Sequence, residues 1–266
     1  MTTPLSHGNV RVKEARKLSR RSVRTERRLF LADGPKATEG ALSVPGCVQE
    51  VFVTVRGAET FASLLDGVPV PVTLVEDRAM DGLSDAVSPA GIVAVCHPVD
   101  VPLDDLLAVT DRASRLVALA ADVRDPGNAG NLVRTADAAG ADGVVLAGHS
   151  VDAYNPKAVR ASVGSLFHLP VATEPDPAQA VGAARAAGLV VLAADGAGEV
   201  DLFDADELLA GPTAWLLGNE AWGLPTELAA LADHRVRIPL LGGAESLNLA
   251  TAAAVCLFTS ARLHRR

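Results

Sequence analysis

The chain reads as an α/β protein, with a small N-terminal α/β domain over residues 1–105 and a larger domain over 114–266 built on a parallel sheet. Three observations predict this. At 266 residues the chain exceeds one typical domain and falls short of three. The apolar runs of its second half are continuous rather than alternating, as strands covered on both faces are. Ala-rich helical stretches separate those runs, which is the strand-helix rhythm of a parallel sheet.

Composition supports a core of small aliphatic residues. Hydrophobic residues make up 49% of the chain but aromatic ones only 3%, so Val, Leu, Ala and Ile must do most of the packing. No stretch approaches the roughly 20 apolar residues of a membrane span. The basic N-terminus is not followed by an apolar segment, so a soluble cytoplasmic protein is expected, with no membrane partner. Cys47, Cys96 and Cys256 lie far apart among apolar neighbours and without metal-binding spacing, so they read as buried free thiols and no metal is expected.

Charge is unevenly placed. The net charge is −8, yet residues 1–40 hold ten basic side chains against four acidic ones, leaving −14 on the rest. Such a basic segment on an acidic body suits an anionic polymer, and Arg20, Arg21, Arg24, Arg27 and Arg28 are its candidate RNA-phosphate contacts. A plain solvated helix face is the competing reading.

Three β-branched runs follow, "VQEVFVTV" (48–55), "VPVTLVE" (70–76) and "GIVAVCHP" (91–98), which complete the first α/β unit. The acidic stretch 100–114 lacks a strand signal, and the boundary is placed inside it. From Arg115 the order is "RLVALAADV", a helix from about Asn128, "GVVLAG", a helix from about Asn155, "FHLPVAT", a helix from about Pro177, "LVVLAAD", "TAWLLGN", "HRVRIPL", and a last helix after Ser246.

In parallel sheets ligands bind beyond the carboxyl ends of the strands, which directs attention to three loops. "DVRDPGNAGNLVRT" carries Asn128 and Arg134. Six helical steps rotate about 240°, so the two cannot share a helix face, and serving one site would require Asn128 in the lead-in loop. The bland alternative is Asn128 as a helix cap and Arg134 as a surface residue. "GNAGNL" also touches a dinucleotide fingerprint without its G-x-G-x-x-G spacing. "LLGNEAWGLP" (216–225) sets Glu220 between Gly218 and Gly223, glycines that permit close approach of a ligand. "RIPLLGGAESLNLA" brings Ser246 and Asn248 to a helix start, where free N–H groups favour a polar ligand edge, with Ser246 as a simple N-cap the alternative.

Together, N-x-G…R, G-N-E-x-x-G and I-P…S-L-N resemble the three motifs of the SpoU/TrmH family of SPOUT methyltransferases, over roughly residues 114–266. "RRLFLADGPKATEGAL" (27–42) resembles the family's N-terminal substrate-binding signature, with Asp33 for the usual Glu, and Thr259 stands where relatives often carry Glu. The stretch 147–170 is similar to the actinobacterial large-subunit rRNA subgroup that includes thiopeptide- and orthosomycin-resistance enzymes.

The resemblance implies a trefoil-knotted catalytic domain, a homodimer, and transfer of a methyl group from S-adenosylmethionine to a ribose 2′-hydroxyl of 23S rRNA, with tRNA the alternative substrate. It implies catalytic roles for Asn128, Arg134, Glu220, Ser246 and Asn248. Cofactor contacts are implied at Leu217, Gly218, Asn219, Ile238, Leu247 and Asn248. It also suggests that Trp222 and the last helix lie near the site or the dimer interface. Because a guanidinium is not normally a base in proteins, Arg134 is expected to steady a phosphate and an incipient alkoxide. Glu220 is expected to anchor Arg134 or a neighbouring loop. An RNA-binding protein without turnover and a dinucleotide oxidoreductase are the competing functions.

Overall fold

The computed structural model describes residues 3–108 and 115–264, which form two compact units: 3–99 with 152–168, and 100–108 and 115–151 with 169–264. The division is therefore not a single cut. The expected boundary within 100–114 falls partly on 109–114, outside the described residues.

The first unit holds β1 (Phe30–Asp33), β2 (Val48–Thr54), β3 (Val72–Val75) and β4 (Ile92–Cys96) in the order β1-β4-β2-β3. β4 runs antiparallel to both neighbours, and β2 pairs with β3 in parallel. The sequence runs anticipated three of these strands; β1 lay hidden in a segment read only as a signature. The basic segment forms two short helices, Val10–Arg16 and Arg21–Arg27, joined by a 3₁₀ turn. Val12, Ala15 and Leu18 pack with Leu31, Phe52, Met80 and Val93 in its core.

Segment 152–168 joins this unit through aromatic packing. Phe30 meets Tyr154 at a centroid distance of 4.5 Å and Phe167 at 6.1 Å. Gly40 is needed beneath Phe167, because a Cβ there would lie 2.8 Å from the ring. Asp33 is buried and accepts hydrogen bonds from Ser84 Oγ and the Asp85 N–H, with Arg160 at 3.6 Å.

The second unit holds seven parallel strands: β5 (Leu116–Ala121), β6 (Gly143–Ala147), β7 (Val171–Glu174), β8 (Val190–Ala194), β9 (Val200–Asp201), β10 (Thr213–Leu217) and β11 (His234–Arg237). Their order is β7-β6-β5-β10-β8-β11-β9. β5, β6 and β10 are buried along their whole length, as continuous apolar runs require. On one face, Val117, Leu119 and Ala121 pack with Ala180, Val181 and Ala184 of the helix Pro177–Ala186. On the other, Trp215 of β10 donates from Nε1 to Ser260 Oγ of the helix Leu249–His264 at 3.0 Å. The expected strand "FHLPVAT" starts later, because Ser165–Phe167 form a 3₁₀ turn, and the short β9 had no sequence signal. Cys47, Cys96 and Cys256 are buried and free. No helix among the described residues is long and apolar enough to cross a membrane.

Candidate active site

The site forms where β5, β10 and β11 deliver the three motif loops to one end of the parallel sheet. β5 ends at Asp122, whose φ of 55° turns the chain sharply; Asp tolerates this left-handed region better than most residues. Its Oδ1 accepts the His149 N–H at 2.7 Å and its carbonyl accepts the Asn219 Nδ2–H at 2.6 Å, which ties the first loop to the second.

Asp125, not Asn128, caps the following helix, Pro126–Ala139. Its carboxylate accepts the Asn128 N–H at 2.9 Å, and Pro126 occupies the first position, where its missing N–H costs nothing. Asn128 therefore lies within the first helical turn rather than in the lead-in loop. Asn128 and Arg134 are six helical steps apart, so the Asn128 side chain meets Glu220 and Asn248 while Arg134 leaves from another side of the helix. Arg134 is exposed and has no hydrogen-bond or ion-pair partner among the described residues.

Glu220 does not touch Arg134. Its Oε1 accepts from the Asp125 N–H and the Asn128 Nδ2–H, both at 3.1 Å, and its Oε2 from the Arg124 N–H at 3.3 Å. Burial raises the pKa of this carboxyl, but the hydrogen bonds from Asn128, from its own backbone and from the Arg124 and Asp125 N–H groups outweigh it and hold the group below its ordinary value. The carboxylate thus closes the mouth of the helix Pro126–Ala139, where negative charge is favoured.

Asn128 passes the link onward. Its Oδ1 accepts the Asn248 Nδ2–H at 3.0 Å, while Asn248 Oδ1 accepts the N–H groups of Ala250 at 2.9 Å and Thr251 at 3.3 Å. Asn248, rather than Ser246, is the N-cap of the last helix. Glu220, Asn128 and Asn248 thereby form one hydrogen-bonded line across all three loops.

The loop after β10 is shaped by its own backbone. Asn219 and Gly223 exchange two N–H···O bonds of 2.9 Å each, the Asn219 side chain accepts the Ala221 N–H at 2.8 Å, and Gly223 sits at φ 70°. A Cβ on Gly218 would lie 2.3 Å from the Gly223 carbonyl carbon, so only glycine lets the loop fold back so tightly.

Beside these loops lies a cleft of about 280 Å³. Leu217, Gly218, Asn219, Ile238 and Leu247 of the expected cofactor contacts line it, as do Glu220 and Ser246; Asn248, Asn128 and Arg134 do not. Sequence reasoning missed Ala194, Asp195, Gly196, Leu240 and Glu245, which also line it. Asp195 and Gly196 follow β8, and the strand-end rule that singled out Glu220 would have found them. Among the described residues no Lys, Arg or His lines the cleft, whereas Asp195, Glu220 and Glu245 do. Arg235 approaches Asp195 at 3.7 Å from outside the lining.

The first unit treats its five candidate RNA-binding arginines unequally. Arg24 is 5% exposed; Nε and Nη2 both donate to Asp152 Oδ2, at 2.9 and 2.7 Å, and Nη1 donates to the Leu18 and Ser19 carbonyls. Its guanidinium is consumed inside the unit, so Arg24 is corrected from an RNA contact to a structural tie. Arg27 is paired with Glu14. Arg20 and Arg21 are exposed and without a partner among the described residues, and Arg28 is exposed in the left-handed region at φ 52°.

Residues 115–258 match the SpoU rRNA Methylase family, and residues 9–94 the MRM3-like substrate binding domain. A 23S rRNA (uridine(2479)-2'-O)-methyltransferase of Streptomyces viridochromogenes is 40% identical over 196 residues, 72% of this chain and 67% of that protein. The 23S rRNA (guanosine(2553)-2'-O)-methyltransferase RlmP of Bacillus subtilis is 34% identical over 253 residues, 94% of this chain and 95% of that protein. An AdoMet-bound rRNA methyltransferase from Sinorhizobium meliloti superposes with a TM-score of 0.83 at 34% identity, covering 96% of this chain and 95% of that one.

Proposed function

Because the chain belongs to the SpoU rRNA methylase family, we propose that it methylates a ribose 2′-hydroxyl of 23S rRNA with S-adenosylmethionine as donor. The observation that carries this reading is the line Glu220–Asn128–Asn248, which locks all three motif loops beside one acidic cleft. The cleft's chemistry fits the cofactor. A sulfonium is a cation, and three acidic residues line a cleft with no basic residue among the described ones. The same lining suits a dinucleotide pyrophosphate poorly, which argues against the oxidoreductase alternative.

When bound, S-adenosylmethionine supplies an electrophilic methyl group. The protein's own part is positioning, and positioning can supply several kcal/mol to a bimolecular step. Leu217, Gly218, Asn219, Ile238 and Leu247 would hold the cofactor edge in the cleft. Glu220 and Asn128 keep the first loop closed. Arg134, exposed and unpartnered among the described residues, is free to take a substrate phosphate in a two-pronged grip and to offset charge developing on the 2′-oxygen. Ser246 is exposed at the cleft and able to meet the ribose.

The first unit would present the RNA, with Arg20 and Arg21 as free cations. We further propose a knotted catalytic unit that works as a homodimer in the cytoplasm; a monomer by sedimentation at micromolar concentration would remove the dimer. The test of the activity is direct. In vitro transcribed 23S rRNA incubated with the protein and methyl-labelled cofactor should gain one 2′-O-methyl group that resists alkaline cleavage at a single position. Label transferred to base atoms, or none transferred to 23S rRNA or tRNA, would sink the reading.

A further inference from the structure

We propose that Trp222 is a stacking platform for a base of the substrate RNA at the rim of the cleft. The proposal rests on the methyltransferase reading and adds a substrate-positioning residue to it.

Three large aromatic side chains are exposed among the described residues: Phe203, Trp222 and Phe258. Phe203 belongs to a 3₁₀ turn after β9 and Phe258 to the last helix. Trp222 alone of the three sits in the loop that carries Glu220, between Ala221 and Gly223, both of which line the cleft, while Trp222 itself does not. The indole therefore stands beside the cleft rather than inside it, and it is 60% exposed.

The ring is not needed to shape its loop. The reciprocal Asn219–Gly223 backbone bonds, the Asn219 side chain on the Ala221 N–H, and the positive φ of Gly223 define the turn without it. A rigid backbone that holds a large aromatic face in water is pre-organised for contact, because little freedom remains to be lost on binding. A single exposed apolar residue is ordinary; this one is distinguished by its place. Proteins that act on single-stranded RNA splay out bases and stack them on aromatic faces, and each such base contributes roughly five- to a hundredfold in affinity. An enzyme that must bring one 2′-hydroxyl to a cleft needs such a handle, since the ribose itself offers no flat surface. The acidic cleft repels the RNA backbone, so a neutral π-face at its edge can hold a nucleotide where a carboxylate cannot.

The chain holds a built-in reporter. Trp215 is fully buried and Trp222 exposed, so a nucleic acid contact on Trp222 changes only one of two indoles. Titrating the full-length protein with in vitro transcribed 23S rRNA should quench and blue-shift the exposed component. Trp222→Phe should abolish that signal yet keep the RNA KM within about threefold of the parent. Trp222→Leu, apolar but without a π-face, should raise the RNA KM roughly tenfold. S-adenosylmethionine affinity by calorimetry should be unchanged in both variants. RNA binding without any change in the exposed component overturns the proposal, as does a Leu variant with the parent KM. If the ring instead packs between two copies of the chain, its emission will follow protein concentration and Trp222→Leu will lower the sedimentation coefficient, which also overturns it. Failure of the methyltransferase reading is seen separately, as absence of methyl transfer by the parent protein, and the quenching and RNA-affinity comparison still decides whether the ring meets RNA.

Discussion

Arg24 and Arg134 carry the same side chain to opposite ends. In the first unit, Arg24 is buried, and its fork is spent on Asp152 and on two carbonyls. In the second, Arg134 stands in solvent with no partner among the described residues. The difference teaches that a count of basic residues is not a count of available charge. The run richest in arginine holds Arg24 and Arg27 in internal pairs, whereas the acidic second unit leaves Arg134 open on the helix whose first turn faces the motif loops.

Four perturbations break or sharpen that contrast. The largest effect is expected at Arg24. Arg24→Ala leaves Asp152 and two carbonyls without their donor, and breaking such a buried pair costs on the order of 3 kcal/mol, read as a lower thermal midpoint of the full chain. Arg24→Lys should recover little, because an ammonium cannot reproduce the planar fork. A midpoint unchanged in both variants would remove Arg24 as a structural tie and erase the contrast.

Next comes Arg134→Ala, which should cut the single-turnover methylation rate by about a hundredfold or more, with cofactor affinity and thermal midpoint intact. Arg134→Lys should recover part of the rate. Parent-like rates at saturating RNA and cofactor would make Arg134 a plain surface residue and erase the comparison.

Asn248 tests whether the hydrogen-bonded line matters beyond capping. Asn248→Ala should destabilise the last helix by about 1 kcal/mol. Asn248→Asp keeps the acceptor for the Ala250 and Thr251 N–H groups but removes the donor to Asn128. It should therefore restore the thermal midpoint while still slowing methyl transfer several-fold. Equal rates in Asn248→Asp and the parent would reduce the line to a cap.

The smallest effect is at Arg20 and Arg21. Replacing both with Gln should flatten the salt dependence of RNA affinity by about 0.7 to 0.9 log unit per log unit of salt for each phosphate left unneutralised. An unchanged slope would make them a solvated face.

Much of the second unit is legible in the order of its residues. The continuous runs at 116–121, 143–147 and 213–217 foretell strands buried on both faces, and the strand-end rule points to Glu220. What escapes is whatever depends on a distant partner. Asp125 caps the helix and Asn128 falls in its first turn, not in the lead-in loop; Pro126 at the first helical position marks that cap locally, but the bonds of Asn128 to Glu220 and Asn248 join residues about a hundred apart and are not written in the loop itself. Glu245 carries no signal of its own, since nothing local distinguishes a carboxylate at a cleft from one on an open surface, whereas Asp195 stands directly after β8, where the strand-end rule applies.

The sequence by itself determined the alternation of strands and helices, the three motif loops, and the glycines at 218 and 223 without which the second loop cannot close, because these follow from chain chemistry over a few residues. The tertiary structure alone decided that segment 152–168 packs with the first unit, that Arg24 is spent while Arg134 is free, and that Glu220 reaches Asn128 rather than Arg134. The physical reason is that Arg24 meets an acid 128 residues away, and Glu220 an amide 92 residues away. Burial and pairing at that separation are set by how whole elements pack, and no local pattern in the chain encodes them.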